Sequence, residues 1–401
     1  MSDNNYDQCS TYLSLTDLPM EIFLHICSFL DANTLIRNLG LVCKQFYNIL
    51  KDDSLWKVRI NRIWPNACYP VLSPVDENEQ FWKLSCLNVE RQAFLWSNLD
   101  PMDKFALTGG HYGTIDGLLL MNNGKICISG GRDRLLICWQ LNATRTIENQ
   151  QNANIACGFG HTGWIWDITC LGDNTIYSCS WDRTVRAWDL SNNFSSIRTF
   201  KMSSHGALLC VAACNERNLV ATGSFRRISV FDPRAHDSSV TKFKPHQLAV
   251  MKVAINSDYI ISASEDKTVA IWDQRMRRTI KTVTISKDSY PMSMFVNNDA
   301  IYTGDSNAMI HIININNNFE QIKSYKSDHT KGITGIHSTL GCLITTSLDG
   351  TVKISSPTDP PISFATLNCK HGDIASMHYL NETLAVSGSD EIDIWRPKTE
   401  N

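Results

Sequence analysis

The sequence predicts a small all-α N-terminal module followed by an all-β propeller of seven blades. Three observations indicate this fold: a motif that recurs about every 40–45 residues, short β-branched strands that end in Trp or Trp-Asp, and helical periodicity in residues 15–60. A repeat of that length is typical of four-stranded propeller blades closed in a ring. We therefore divide the chain into a helical module at 15–62, a linker with a helix at 63–103 and a propeller at 104–401.

The composition describes a packed globular chain and excludes several classes of protein. The 401 residues are 43% hydrophobic and 19% charged, and the net charge of −3 gives no drive towards nucleic acid or an anionic membrane. The first residues lack a basic signal-peptide region, and the 14 cysteines form no C-x-x-C pair. We expect a soluble intracellular protein, cytoplasmic and also nuclear, with no metal, no cofactor and no nucleic-acid or membrane partner.

The repeat is marked by a His that precedes an apolar strand. The marker positions are His111, His161, His205, His246, His329 and His371. A gap of 83 residues between His246 and His329 splits into 41 and 42 if Lys287 occupies a His position, which gives seven repeats.

The ends of the strands repeat as well. Ser-Gly-Gly-Arg-Asp-Arg-Leu-Leu-Ile-Cys-Trp ends at Trp139, and Ser-Cys-Ser-Trp-Asp-Arg-Thr-Val-Arg-Ala-Trp-Asp ends at Asp189. Ser-Ala-Ser-Glu-Asp-Lys-Thr-Val-Ala-Ile-Trp-Asp ends at Asp273. Polar turns between such strands read as hairpins. This pattern resembles the WD-repeat family over about three quarters of the chain.

The resemblance implies a buried polar network in each blade, in which Trp donates to Ser or Thr, the hydroxyl meets His, and His meets a turn Asp. Three blades carry the full set: His111, Ser129, Asp133 and Trp139; His161, Ser178, Asp182 and Trp188; His246, Ser262, Asp266 and Trp272. A Ser-His-Asp grouping also suggests a hydrolase. Its recurrence in three blades argues against that reading, because an enzyme needs one such site.

Four blades depart from the pattern. The third has Phe231 for Trp and Arg226 near the Asp position, and the fifth has Lys287, Asn307 and Ile313 for His, Asp and Trp. The sixth has Ser355 for Trp, and the seventh keeps His371, Ser387 and Trp395 around a shortened turn. Since the chain ends soon after Trp395, we expect the strand at Lys104–Gly109 to complete blade seven and close the ring.

The N-terminal module reads as a series of short helices. Leu18, Ile22, Ile26 and Leu30 share one helical face, Thr16 or Asp17 is placed to cap that helix, and Asp31 is placed to cap the next. Further helices are expected at Leu41–Leu50 and Asp53–Arg62. A module of this size has little room for a private core and needs a neighbour to pack against.

Four landmarks in order make this module resemble an F-box: Leu18-Pro19-x-Glu21-Ile22, Leu30-Asp31, Val42-Cys43-Lys44-x-Phe46 and Leu55-Trp56-Lys57. The resemblance implies docking to a Skp-type adaptor that binds a cullin. The adaptor-binding residues it implies are Leu18, Pro19, Glu21, Ile22 and Leu30, with Trp56 in the core. A helix at Asn78–Asn98, after an irregular link at Pro65–Val75, is expected either to act as a stiff spacer or to cover the propeller flank.

The WD-repeat resemblance further implies a binding surface at the top rim of the propeller. Its candidate substrate-binding residues are Trp164, Trp166, Trp181, Phe225, Arg132, Tyr290 and Met251. Three tryptophans in one blade favour a binding patch over core packing. Since phosphate pockets use several arginines and only Arg132 and Arg226 are candidates, we expect a ligand with an apolar or aromatic anchor.

Together the two resemblances imply the substrate-recognition subunit of a Skp/cullin/F-box type E3 ubiquitin ligase, without catalysis of its own. Two alternatives stay open. One is a non-degradative scaffold, and the other is a receptor for a different cullin adaptor through the boxes Phe231-Asp-Pro-Arg and Trp272-Asp-Gln-Arg.

Overall fold

A computed structural model describes residues 15–63, 81–141, 154–192, 194–202, 206–235, 241–358 and 361–398. Helices occupy the N-terminal part, and seven four-stranded antiparallel sheets occupy the rest. The predicted fold class, a helical module followed by a seven-bladed propeller, is confirmed. No helix in these ranges is long and apolar enough to cross a membrane.

Residues 15–63 and 81–97 contain five α-helices and two short 3-10 turns. The helices are α1 (Met20–Ser28), α2 (Ala32–Arg37), α3 (Lys44–Leu50), α4 (Asp53–Ile63) and α5 (Phe81–Ser97), and the 3-10 turns are Leu15–Asp17 and Leu39–Leu41.

The predicted cap of α2 is confirmed, whereas the predicted cap of α1 is wrong. Asp31 accepts from the Thr34 N–H at 2.8 Å. Helix α1 begins after Pro19 with no side-chain cap, because Thr16 and Asp17 lie in the preceding 3-10 turn. Helix α3 begins three residues later than predicted, with Cys43 at its N-cap.

Each blade runs from an inner to an outer strand in chain order, except the last. Blade one contains β2 (Ile115–Met121), β3 (Ile126–Gly131), β4 (Leu136–Gln140) and β5 (Asn154–Gly158); blade two contains β6 (Ile165–Leu171), β7 (Thr175–Ser180), β8 (Thr184–Asp189) and β9 (Ser195–Lys201); and blade three contains β10 (Cys210–Cys214), β11 (Leu219–Gly223), β12 (Ile228–Phe231) and β13 (Thr241–Phe243). Blade four contains β14 (Val250–Ile255), β15 (Tyr259–Ser264), β16 (Thr268–Asp273) and β17 (Arg278–Thr284), and blade five contains β18 (Pro291–Val296), β19 (Ala300–Asp305), β20 (Met309–Asn314) and β21 (Glu320–Lys326). Blade six contains β22 (Ile333–Ser338), β23 (Leu343–Ser347), β24 (Thr351–Ser355) and β25 (Ser363–Asn368), and blade seven contains β26 (Ser376–Leu380), β27 (Thr383–Ser387), β28 (Ile392–Pro397) and β1 (Met102–Leu107).

Blade seven is completed by a strand from the other end of the propeller, as predicted. Strand β1 pairs antiparallel with β28, with Lys104 opposite Trp395 and Leu107 opposite Ile392. The first strand of the propeller thus covers the edge of β28 and becomes the outer strand of blade seven. The strand begins at Met102, ahead of the expected Lys104.

Helix α5 contacts both the helical module and the propeller. Its residues Cys86 and Val89 belong to the same buried cluster as Phe23, Leu35 and Trp56 of the module. The helical module therefore packs against a neighbouring element, helix α5, as expected. Trp56 lies in the core of the module, and its indole N–H donates to the Leu50 carbonyl at 2.9 Å.

The other end of α5 packs on blades six and seven. Leu95 and Trp96 join the apolar cluster of these blades. The buried Gln92 side-chain oxygen accepts from the Trp96 indole and the Tyr379 hydroxyl, both at 3.0 Å. Both predicted roles of this helix are therefore met, since it links the two parts and covers the propeller flank. The predicted start at Asn78 and the link Pro65–Val75 lie outside the described residues.

Candidate functional site

In the part of the chain that the structure describes, five blades have a β-bulge at the start of the inner strand. The register shifts between Ile115 and Gly117, and the same shift recurs at the start of β6, β14, β18 and β22. A bulge turns one side chain out of the normal alternation. The bulged residues are Asp116, Trp166, Met251, Met292 and Thr334.

The three predicted tryptophans of blade two lie together. The Trp164 and Trp181 rings have centroids 4.6 Å apart, and the Trp166 and Trp181 rings stack at 5.5 Å. A backbone hydrogen bond of 2.9 Å from the Trp181 N–H to the Trp164 carbonyl holds their two loops together. Trp164 is 37% exposed and Trp181 43% exposed, so the cluster presents indole surface to solvent.

Gly163 permits this close approach of the two loops. A Cβ added at this position would lie 2.6 Å from the Asp182 backbone nitrogen. Any other residue would therefore push the loops, and with them Trp164 and Trp181, apart.

Arg132 of blade one extends the tryptophan cluster towards the neighbouring blade. Its guanidinium carbon lies 5.2 Å from the Trp164 ring centre and 5.4 Å from that of Trp166. The same guanidinium pairs with both carboxylate oxygens of Asp116, at 2.9 and 3.2 Å. Burial raises the pKa of Asp116, and the adjacent Arg132 opposes that rise. Because Asp116 already occupies Arg132, this arginine is a poor receptor for a phosphate group.

The remaining predicted rim residues lie apart from this cluster. Phe225 is 56% exposed in blade three, where it pairs with Ala249 through an isolated β-bridge. Met251 and Tyr290 are half-buried in blades four and five. Within the described part of the chain, no ring contact links Phe225 or Tyr290 to the tryptophans. We use the term "aromatic rim patch" for Trp164, Trp166, Trp181 and Arg132.

Two exposed side chains near the rim escaped prediction. Tyr112, which follows His111, is 85% exposed, and Leu248, two residues after His246, is 41% exposed. The signal in the sequence was a large side chain, aromatic or aliphatic, one or two residues after the marker His.

The predicted adaptor residues differ in their exposure. Pro19, Glu21 and Ile22 are exposed, with Ile22 at 48%, whereas Leu18 and Leu30 are half-buried. Leu30 packs against the module core, whose α1 members are Phe23 and Cys27. The buried face of α1 is thus offset from the predicted stripe, and Ile22 lies on its solvent side.

Further apolar side chains of the module are exposed and were not predicted. They are Leu15, Met20, Leu24, Phe29, Leu41, Val42, Tyr47 and Val58. A groove of about 930 Å³ runs between α1 and α4 and is lined by Leu24, Leu55 and Val58 among others. So many exposed apolar residues on a small module mark a protein-binding surface.

The polar networks of blades one and two form as predicted. The Nδ1 atom of His161 is hydrogen-bonded to the Asp182 carboxylate and its Nε2 atom to the Ser178 hydroxyl, both at 2.8 Å. The Trp188 indole N–H donates to the same hydroxyl at 2.8 Å. The blade-one set has the same connections. Burial disfavours ionisation of Asp182, but His161, Thr184 and the Thr162 N–H outweigh it and lower its pKa. These groups are held inside blades, and no single one of them stands apart as a reaction centre.

Blades four and six each complete only part of the network. His246 contacts Asp266 and Ser262, but the Trp272 indole is not joined to Ser262, contrary to the prediction. Trp272 stacks instead on Phe243, with ring centres 3.8 Å apart. In blade six His329 contacts Asp349 and Thr345, as predicted. His205 lies outside the described residues.

In blade five the His moves to another strand. Lys287 is exposed, and the network is built by Asp305, which contacts His311 at 3.0 Å and accepts from Ser289. Asn307 only donates its backbone N–H to Asp305. Asn307 does stand at the position of the turn Asp, two residues after Asp305 as Asp182 is two residues after Ser180, but the acceptor of this network is Asp305.

Blade seven also departs from its prediction. Val386 lies opposite Asp393, two residues before Trp395, which is the register position of Ser129 and Ser178 in blades one and two. Ser387 donates instead to the Ile115 carbonyl of blade one at 2.8 Å. His371 faces Asp393, with the Nε2 and Oδ2 atoms 3.5 Å apart, and Cys369 lies beside them.

In the first of the two boxes considered for another cullin adaptor, the arginine is paired with a carboxylate of the same box. Arg234 contacts Asp232 within its own box, with Nη2 and Oδ2 2.9 Å apart, and this arginine lowers the pKa of Asp232. The pair lies at the surface, and any partner of the Arg234 guanidinium would share it with the Asp232 carboxylate.

A helical F-box-like module fixed to a WD-repeat propeller supports one class of protein, the F-box substrate receptors. Family models agree with this division: the F-box-like model matches residues 15–61, and the WD domain, G-beta repeat model matches 154–189, 237–273 and 319–354. The chain belongs to the F-box/WD-repeat family.

Its similarity to named relatives extends over most of the chain. It is 31% identical over 95% of its length to human F-box/WD repeat-containing protein 9, of which it covers 82%, and 30% identical to the Bos taurus protein of that name, with the same coverage of each chain. It is 28% identical over 78% of its length to F-box/WD repeat-containing protein mec-15 of Caenorhabditis elegans, of which it covers 77%. The predicted family is therefore confirmed.

Proposed function

We propose that this protein is the substrate-recognition subunit of a Skp/cullin/F-box type ubiquitin ligase. The helical module binds the Skp-type adaptor, and the aromatic rim patch binds a protein substrate through an apolar or aromatic anchor. The protein carries out no chemistry itself. Its contribution is to raise the effective concentration of the substrate beside the ubiquitin-carrying enzyme.

The observation that carries this proposal is the connection of the two surfaces by α5. Glu90 accepts from the Ala32 backbone N–H at 2.6 Å and pairs with Arg59 at 2.5 Å. Arg59 in turn donates to the Cys27 and Leu30 carbonyls at the end of α1. Two residues after Glu90, Gln92 is bonded to the propeller, so one helix fixes both parts. A fixed spacing is what delivery of a bound substrate requires.

The adaptor half of the proposal is tested with the double variant Pro19→Ala, Ile22→Asp. Both residues are exposed on α1, so the fold should survive the change. We expect loss of adaptor co-purification, because a charge at a buried apolar contact costs about 2 kcal/mol or more. Ile322→Asp, at a 54% exposed position on the outer strand of blade five, is the matched control. Undiminished adaptor binding by the double variant would reject this interface.

The substrate half is tested with Trp164→Ala and Trp181→Ala. Proteins that copurify with the full chain should be depleted, whereas adaptor binding persists, and Ile322→Ala should change neither. We also expect phosphatase treatment of the lysate to have little effect, since Arg132 is held by Asp116. Substrates that disappear on dephosphorylation, or that survive both Trp changes, would contradict this site.

A further inference from the structure

Blade seven contains a cluster of three side chains of types that bind metal ions. Cys369 follows β25, His371 lies two residues further on, and Asp393 lies in β28. One ligand atom from each lies within 4.8 Å of the other two. The His371 side chain is 2% exposed and that of Asp393 8% exposed, so the cluster is inside the blade.

Three polar atoms of this cluster lack hydrogen bonds. Both ring nitrogens of His371 and the Oδ2 atom of Asp393 are buried without a hydrogen bond. The network His in blades one, two, four and six, by contrast, has a partner on each ring nitrogen. A buried polar group without a hydrogen bond destabilises the folded state. A ligand that binds to Nε2 and Oδ2 would remove this cost for two of the three atoms.

The distance between the two groups fits an ion better than a hydrogen bond. The His371 Nε2 and Asp393 Oδ2 atoms are 3.5 Å apart. An N–H···O hydrogen bond spans about 2.7–3.2 Å. Two ligands at about 2.0–2.1 Å from a tetrahedral zinc ion lie roughly 3.3–3.4 Å from each other. Zinc therefore requires little movement of these two side chains.

We propose that Cys369, His371 and Asp393 bind one Zn²⁺ ion through Sγ, Nε2 and Oδ2. Nε2 is the ligating nitrogen, because a Cβ added at Gly388 would lie only 2.1 Å from Nδ1, which places that atom against the backbone. The mixed sulfur, nitrogen and oxygen set favours Zn²⁺ over Ca²⁺ or Mg²⁺, which take oxygen ligands. On binding, the Cys369 thiol releases its proton to solvent and the thiolate forms the Zn–S bond.

The Lys104 ammonium group is a cation that would compete with the metal ion for the Asp393 carboxylate. Its ammonium group lies 3.9 Å from Asp393 Oδ2 and 4.8 Å from the centre of the Trp395 ring. The Lys104 side chain is 45% exposed, so it can turn into solvent when the ion binds. Since Lys104 belongs to β1, the ion would bind where the first strand closes the ring. Its binding to the folded state alone would stabilise that junction.

The test measures metal retained by the full chain. The protein is stripped with a chelator, loaded with Zn²⁺, freed of excess and analysed for metal, and Co²⁺ is used separately as a spectroscopic probe. We expect one equivalent more than in Cys369→Ala or Asp393→Asn, and a thiolate-to-cobalt charge-transfer band that these variants lack. Cys170→Ala, at another half-buried cysteine, should keep both. Circular dichroism confirms that each variant is folded. Equal metal content in the wild type and the two site variants would overturn the proposal.

A second variant separates a metal site from a simple ion pair. Lys104→Met keeps the length of the side chain over Trp395 and removes the charge that competes at Asp393. If the cluster binds Zn²⁺, this variant should bind it more tightly than the wild type, and added Zn²⁺ should raise its melting temperature further. Unchanged or weaker binding would contradict a site in which Lys104 and the ion share Asp393.

Discussion

Blades two and seven both combine a buried His with a Trp at the end of the third strand, but only blade two links them. In blade two Ser178 joins the His161 ring to the Trp188 indole. In blade seven Val386 takes the corresponding position, and His371 faces a carboxylate of the next strand. The two sheets nevertheless have the same strand order from the inner strand outwards. Burial of apolar side chains therefore determines the blade, and the polar network adds local stability to it.

The largest effect should come from removing the Trp in either blade. Trp188 is 1% exposed and Trp395 3% exposed. Trp188→Ala and Trp395→Ala should each lower the free energy of unfolding by about 3–5 kcal/mol, because each leaves a large cavity. Trp181→Ala, at a 43% exposed position, should have little effect on it. Denaturant unfolding measures all three, and a mild effect at Trp395 alone would break the comparison.

The turns of the two blades should differ, by a smaller amount, in how much they contribute to the free energy of unfolding. Asp182 bonds to His161, the Thr162 N–H and Thr184, so Asp182→Ala should cost about 1–3 kcal/mol of unfolding free energy. Asp390 in the turn of blade seven is exposed, and Asp390→Ala should stay within about 0.5 kcal/mol of the wild type. Melting temperatures measured side by side test this. Equal losses would mean that the blade-seven turn contributes as much as the network does.

The smallest effect is a pH dependence of the blades that keep the turn Asp. Burial opposes ionisation of Asp349, but Thr351, the Thr330 N–H and His329 outweigh it and lower its pKa to about 2. A lowered pKa contributes stability that is complete above the unfolded-state pKa of about 3.9 and is lost as pH falls towards 2. The stability difference between the wild type and Asp349→Asn should therefore shrink by on the order of 1 kcal/mol between pH 7 and pH 3. A difference that does not change with pH would show that the Asp349 carboxylate gains nothing from its partners.

The sequence predicted the seven blades because the spacing of His, Ser, Asp and Trp survives in enough of them. It failed at Ser387 for a physical reason. The shortened turn shifts the pairing by one residue, which sends Ser387 to the neighbouring blade and places Val386 in the network position. Comparing residue types at the repeat positions does not reveal this shift in strand pairing. Likewise, nothing in the spacing showed that Asp305 and His311 rebuild the network of blade five.

Two of the predicted rim residues coincide with a bulge that recurs at a fixed distance from the marker His. Trp166 and Met251 each lie five residues after their marker, His161 and His246, and both occupy bulged positions. The contact of Arg132 with Trp164 and Trp166 was not predictable, because it depends on how two neighbouring blades meet. In the helical module the sequence located the helices and a stripe of which Ile22 is exposed, but it did not show that Phe23 and Cys27 form the buried face of α1.

The pairing of β1 with β28 has a consequence for biosynthesis. Leu107 leaves the ribosome well before Ile392, the residue it faces in the finished blade. At about 5–20 residues per second, roughly 15 to 60 seconds of translation separate the two. During that interval the helical module and the early blades can fold. Strand β1 has no partner strand at this stage, and a chaperone or a second nascent chain could bind its unpaired edge. Ring closure therefore requires β28, and the emergence of this strand decides when the propeller becomes a closed unit.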